Sequence, residues 1–155
     1  MANTQAICTS FKNELMLGAH QFGSVTIVSR TSLTAPTTDS LKAALYSTSA
    51  TVNATTTAYS ATNEVSGTGY SAGGVAVTNA TAPTTSGTTA YWTPSASLVY
   101  TTVTIGPTDC VLLYNSTQSN RAICVNTFSA QTLTAATLTL TMPSNAAGTA
   151  LIQLA

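Results

Sequence analysis

Beyond Gly18 the chain rarely carries an apolar run past about eight residues before Gly, Pro, Asn or a Ser/Thr cluster interrupts it. That punctuation excludes long helices and leaves short strands joined by turns. Ser24–Ser29 is a β-branched run, and Leu41–Tyr46 alternates, with Leu41, Ala43 and Leu45 on one side and Lys42, Ala44 and Tyr46 on the other. Val75–Asn79, Thr88–Trp92 and Leu98–Ile105 read as further strands, and Ala150–Leu154 as a last one. Cys110–Asn115 and Arg121–Phe128, joined by polar Ser116–Asn120, read as a hairpin with a slightly long loop. Leu133, Leu138 and Leu140 lie in a Thr-rich strand region. Thr31–Ser40, Asn63–Gly74, Thr81–Gly87 and Pro143–Gly148 read as loops or turns, and Thr55–Ala61 as a strand or an extended loop.

The start of the chain differs. Ile7, Phe11 and Leu15 recur at i, i+4 and i+8, which predicts one amphipathic helix over about 5–17, with Thr4 as N-cap and Gly18 as the stop. So short a helix is marginal alone, so the stripe of Ile7, Phe11 and Leu15 is a candidate interface, with the sheet or with a neighbouring subunit. The expected fold is mostly β: a single domain over 1–155, an antiparallel β-sandwich or jelly roll from about residue 20, with one short N-terminal α-helix.

Charge narrows the function. Only 5% of residues are charged, against about 25% in ordinary globular domains, and Ser plus Thr make up about a third of the chain. A surface of hydroxyls with zero formal net charge has weak protection against association, so partners are expected to cover much of it. Lys12, Arg30, Lys42 and Arg121 are scattered, which removes the electrostatic basis for nucleic-acid binding or polybasic membrane attachment. No apolar run approaches the roughly 20 residues of a spanning helix, and Met1–Phe11 lacks the features of a secretory signal, so synthesis and retention in a cytosol are expected.

Catalytic chemistry has little to stand on. His20 is the sole imidazole, and Asp39, Glu64 and Asp109 show no paired spacing. Gly-x-Ser-x-Gly, phosphate-loop and HExxH patterns are absent, and Gly67, Gly69, Gly73 and Gly74 lack the continuation of a nucleotide loop. No catalytic residue, cofactor or metal site is therefore assigned; three cysteines and one distant histidine make a poor zinc site. Cys110 and Cys124 each stand seven residues from Thr117, so a symmetric hairpin would place them opposite each other. A disulfide is geometrically conceivable there, but two buried thiols in a reducing cytosol are the favoured reading. Trp92, Tyr91, Tyr100 and Tyr114 suit core packing better than a sugar-binding platform.

Five blocks then take on meaning together: Cys8–His20; Asp39–Ser47 with Ser49–Thr51 and Thr55–Tyr59; Asn63-Glu-Val-Ser-Gly-Thr-Gly-Tyr-Ser-Ala-Gly-Gly74; Leu113–Asn115 before Arg121-Ala122; and Leu151–Ala155. In this order they resemble a family of small virion structural proteins of tailed bacteriophages. The resemblance implies a non-enzymatic protein, made in the host bacterial cytoplasm and carried in the virion. Its expected role is capsid decoration, as a cement protein on the outer surface of the major capsid shell, with the major capsid protein or other virion proteins as partners and a homo-oligomeric state. A tail, neck or baseplate component, or a small adhesion or fibre subunit, is the alternative.

Overall fold

The computed structural model describes residues 3–16, 20, 22, 38–78 and 81–154. The expected strand Ser24–Ser29 and most of the loop Thr31–Ser40 lie outside them.

The elements are β1 (Ala6–Ile7), α1 (Thr9–Met16), β2 (Leu41–Ser47), β3 (Gly67–Thr68), β4 (Val75–Val77), β5 (Thr84–Ser86), β6 (Thr89–Trp92), β7 (Leu98–Asn115), β8 (Arg121–Leu140) and β9 (Ile152–Leu154). One antiparallel sheet has the order β1-β8-β7-β2-β4, with β3 also on β7; a second has the order β5-β6-β9. The fold is thus mostly β, antiparallel and sandwich-like, with one short helix. Residues from both sheets share one core, in which Leu41, Leu45, Leu112, Leu113 and Ile123 of the first sheet join Trp92 and Ile152 of the second.

The spine is the β7–β8 hairpin. Asn115 shapes its turn: its Oδ1 accepts from the backbone N–H of Thr117 and of Gln118, each at 3.1 Å. Ser119 and Asn120 then take positive φ of 51° and 58°, which an Asn tolerates better than most residues. Both strands run further than the sequence suggested. Leu98–Ile105 and Cys110–Asn115 are one strand, because register shifts absorb Gly106 and Pro107 between them. Five residues of β8 (Thr127–Gln131) span three of β7 (Thr108–Cys110), and such a bulge bends the hairpin there. Two separated stretches of β8, Asn126–Phe128 and Thr139–Leu140, accordingly line one cleft.

Register also corrects the cysteine expectation. The turn is centred one residue later than Thr117, and a further shift falls at Leu113/Tyr114. Cys124 therefore faces Leu113 and Cys110 faces Thr127, so the two do not form a cross-strand pair. Cys8, Cys110 and Cys124 are all buried thiols.

The N-terminal helix is shorter than expected. Ala6 and Ile7 pair with Val125 and Cys124 of β8 instead of starting the helix. Thr4 gives its N–H to Val52, and Thr9 opens α1. Backbone pairing to a sheet edge outweighs the weak helical preference of this stretch. Ile7 consequently leaves the helical stripe. Phe11, 1% exposed, packs inside the chain's own core with its ring edge-on to His20 and Phe22 at 4.8 and 5.7 Å, and Leu15 is half-buried. As a continuous docking face for another subunit, Ile7, Phe11 and Leu15 do not hold together.

One smaller element departs from expectation, and another is decided between its two alternatives. Thr84–Ser86, taken as loop, pairs with β6 across a two-residue Gly87-Thr88 turn in which Gly87 has φ 58°. Thr55–Ala61 is a loop with a single bridge, Ala58 to Arg121.

Candidate functional site

The glycine-rich block singled out in the sequence closes over the face of β2. Gly74 is the hinge: at φ 72° its backbone lies so close to Ala43 that a Cβ would stand 1.7 Å from that carbonyl oxygen. This close approach brings Glu64 into a nest of phenols. Tyr59 donates to Glu64 Oε2 at 2.6 Å, while Tyr70 Oη and the Gly73 N–H donate to Oε1 at 2.7 Å each. The Tyr70 hydroxyl also accepts the Leu45 N–H at 3.0 Å. Around them, Tyr46 donates to the Ser60 carbonyl at 2.6 Å, Tyr114 to that of Gly73 at 2.9 Å, and Tyr100 to that of Ala43 at 2.9 Å. Tyr59 stacks on Tyr114, and Tyr70 on Tyr100.

Burial, with the Glu64 charge adding to it, pushes the phenols of Tyr46, Tyr59, Tyr70, Tyr100 and Tyr114 up, Tyr46 to about 12. All five stay protonated at neutral pH and act as donors. The cluster pins a loop to a strand; its phenols are spent on holding the chain.

His20 belongs to a second polar chain. Its Nδ1 lies 3.0 Å from Asn115 Nδ2, and that amide donates to Asp39 Oδ2 at 2.6 Å; Gln118 Nε2 donates to Asp39 Oδ1 at 3.2 Å. Asn115 is fully buried and Asp39 nearly so. The contacts join the segments around residues 20 and 39 to the β7–β8 turn. An amide stands between imidazole and carboxylate, an arrangement unlike the direct orienting bond of a nucleophile–base–acid site. Sequence reasoning missed Asn115, whose place between strand and polar loop signals a turn residue, and missed the convergence on Glu64.

Of the four aromatic residues weighed as a platform, Trp92, Tyr100 and Tyr114 are buried and Tyr91 is half-buried. The Trp92 indole N–H donates to the Thr81 carbonyl at 2.8 Å. Core packing is their role. Among the described residues no group of three His, Cys, Asp or Glu side chains gathers as metal ligands, and no helix is long and apolar enough to cross a membrane.

The exposed features are of another kind. A cleft of about 470 Å³ runs beside β8, lined by Gln5, Asn126, Phe128, Leu140, Met142 and Leu151 among others, all uncharged. β1 covers the outer side of β8 only opposite Cys124 and Val125. From Thr127 to Leu140 no described strand pairs with that side. No Asp, Glu, Lys, Arg or His occurs from Ala122 to Ala155, so this part of the surface is hydroxyl, amide and hydrocarbon alone. Val99, 46% exposed, sits opposite Thr139 on the same hairpin.

Comparison with protein-family models, with curated proteins and with solved structures returned no match.

Proposed function

We propose that the chain is a non-enzymatic structural protein of a tailed-bacteriophage virion, a capsid decoration protein that binds the outer surface of the major capsid shell. The observation carrying this reading is the long edge of β8 that no described strand covers, in a region without a single charged side chain. An isolated protein gains nothing from leaving such an edge open, whereas one held in an assembly covers it. The ordered resemblance of Cys8–His20, Asp39–Ser47 and Asn63–Gly74 to phage virion proteins adds support. The Glu64 and Asn115 networks fit the same role, since both consume their polar groups in bracing the fold. A protein that binds the assembled shell and not its separate subunits stabilises the shell by mass action.

A second reading, a tail, neck or baseplate component or a small adhesion subunit, is favoured by the cleft. Its amides, hydroxyls and single aromatic ring at Phe128 have the chemistry of a neutral glycan site. Antibody labelling of intact virions by electron microscopy tests both. Label spread over the head supports decoration, label confined to the tail supports the second reading, and absence of the chain from purified virions by mass spectrometry refutes both.

A further inference from the structure

The edge of β8 that no described strand covers is uneven, and its shape points to what pairs with it. In its middle, β8 has two residues more than β7 near Phe128–Ala130, and Leu133–Ala136 spans Val103–Ile105 with one residue to spare, Ala135 there having φ 47°. Such bulges twist an edge away from partners. A last register shift, at Tyr100/Val103 on β7, falls between Ala136 and Leu138; beyond it the strand is regular, and Leu138, Thr139 and Leu140 pair in order with Tyr100, Val99 and Leu98. Here exposure alternates residue by residue, with Thr137, Thr139 and Thr141 exposed and Leu138, Leu140 and Met142 half-buried. The devices that protect natural edges, a lysine, a proline or an inward charge, are missing from Thr127 to Met142.

We propose that this edge pairs with the same edge of a second copy of the chain, antiparallel across a two-fold axis at Thr139. The pentad Thr137-Leu138-Thr139-Leu140-Thr141 reads identically in both directions. A two-fold perpendicular to the sheet keeps each face on its own side. Leu138 then stands opposite Leu140 of the second copy on the half-buried face, and Thr137 opposite Thr141 on the exposed face. Matched apolar and Thr–Thr cross-strand pairs are favourable ones. Neither copy brings a charge to the contact, so nothing repels. The exposed Val99, beside Thr139, continues the row across the axis. Some five residues of pairing on each copy supply about five hydrogen bonds, at the lower end of the ~10 ± 5 of a stable interface. The dimer is therefore weak and reversible, and it closes because both copies use one edge. This inference does not depend on the virion reading.

Thr139→Lys and Thr139→Glu place like charges face to face at the axis while leaving the core untouched. Sedimentation velocity of the wild-type chain is expected to show a concentration-dependent species of twice 15.7 kDa, insensitive to salt. Each variant alone is expected to stay monomeric with an unchanged circular-dichroism spectrum, and an equal mixture to recover the dimer. Hydrogen exchange at residues 136–141 is expected to slow as concentration rises. A monomeric wild-type chain at its highest soluble concentration overturns the proposal. So do a dimer that both variants preserve, a mixture that does not recover it, or edge amides already protected in the monomer, which would place the chain's own backbone on that edge.

Discussion

Replacing Glu64 by Gln tests whether the phenol nest braces the fold. Three donors converge on the carboxylate: Tyr59 and Tyr70 hydroxyls and the Gly73 N–H, at 2.6, 2.7 and 2.7 Å. Hydrogen bonds to a charged acceptor contribute about 1.5–3 kcal/mol each, and neutral ones about 1. The best Gln rotamer keeps its carbonyl oxygen toward Tyr70 and Gly73 and turns its amide N–H toward Tyr59, whose hydroxyl can rotate to accept. Two bonds then lose their charge assistance, about 1 kcal/mol each, and the third is reversed. Glu64 is only half-buried, which holds the total to about 2–3 kcal/mol. For a domain of this length each kcal/mol corresponds to about 2–4 °C, so Tm should fall by roughly 4–12 °C. Tyr70→Phe in the same background should show a coupling of at least about 1 kcal/mol in a double-mutant cycle read by urea unfolding. A Tm within about 2 °C of wild type, or additive effects in the cycle, would refute the bracing role.

Phe11→Ala removes a ring that is 1% exposed and wedged against His20 and Phe22, so a loss of about 3–5 kcal/mol is expected in chemical denaturation; under 1 kcal/mol would mean α1 is not seated in the core. Burial pushes Cys110 and Cys124 thiols, and the Tyr46 phenol, up to about 12. Because these pKa values are raised in the folded state, their contribution is complete below the unfolded values near 9–10 and declines as pH climbs from there toward 12. Stability against urea should thus be level near neutrality and fall steeply above about pH 10, and a flat profile to pH 11 would contradict it. All three thiols should resist a thiol reagent in the native protein and react together on unfolding; rapid labelling of any one in native buffer would contradict their burial.

The sequence exposed what depends on local chemistry. Alternation marked β2, the polar stretch Ser116–Asn120 marked the hairpin, and Gly and Pro marked the turns. It hid what depends on register. One residue of offset at the turn and one bulge at Leu113/Tyr114 separate Cys110 from Cys124, and neither leaves a mark in residue type. It also hid the competition at the N-terminus, where a helical stripe through Ile7 loses to backbone pairing with β8, because the competitor is more than a hundred residues away. The Glu64 nest was half visible. The glycines announced a tight turn, but the tyrosines that meet there come from β2, β7 and two points of the loop, a convergence only the fold creates. The uncharged last fifth was plain in the sequence, while the edge within it that no described strand covers was not.

The β7–β8 hairpin carries a consequence for how the chain folds. Its turn closes a short loop, and pairing from there outward adds each residue at little extra entropic cost, while β1, β2 and β4 must find it from far along the chain. The turn is the natural nucleus and the distal ends of the hairpin the last parts to settle. Weakening Asn115 should therefore slow folding, and Leu140→Ala, at the far end, should chiefly hasten unfolding. Chevron kinetics showing the reverse would move the nucleus elsewhere. On this account the edge at Thr137–Thr141 is completed after the rest of the core, when another copy can reach it only as a folded surface.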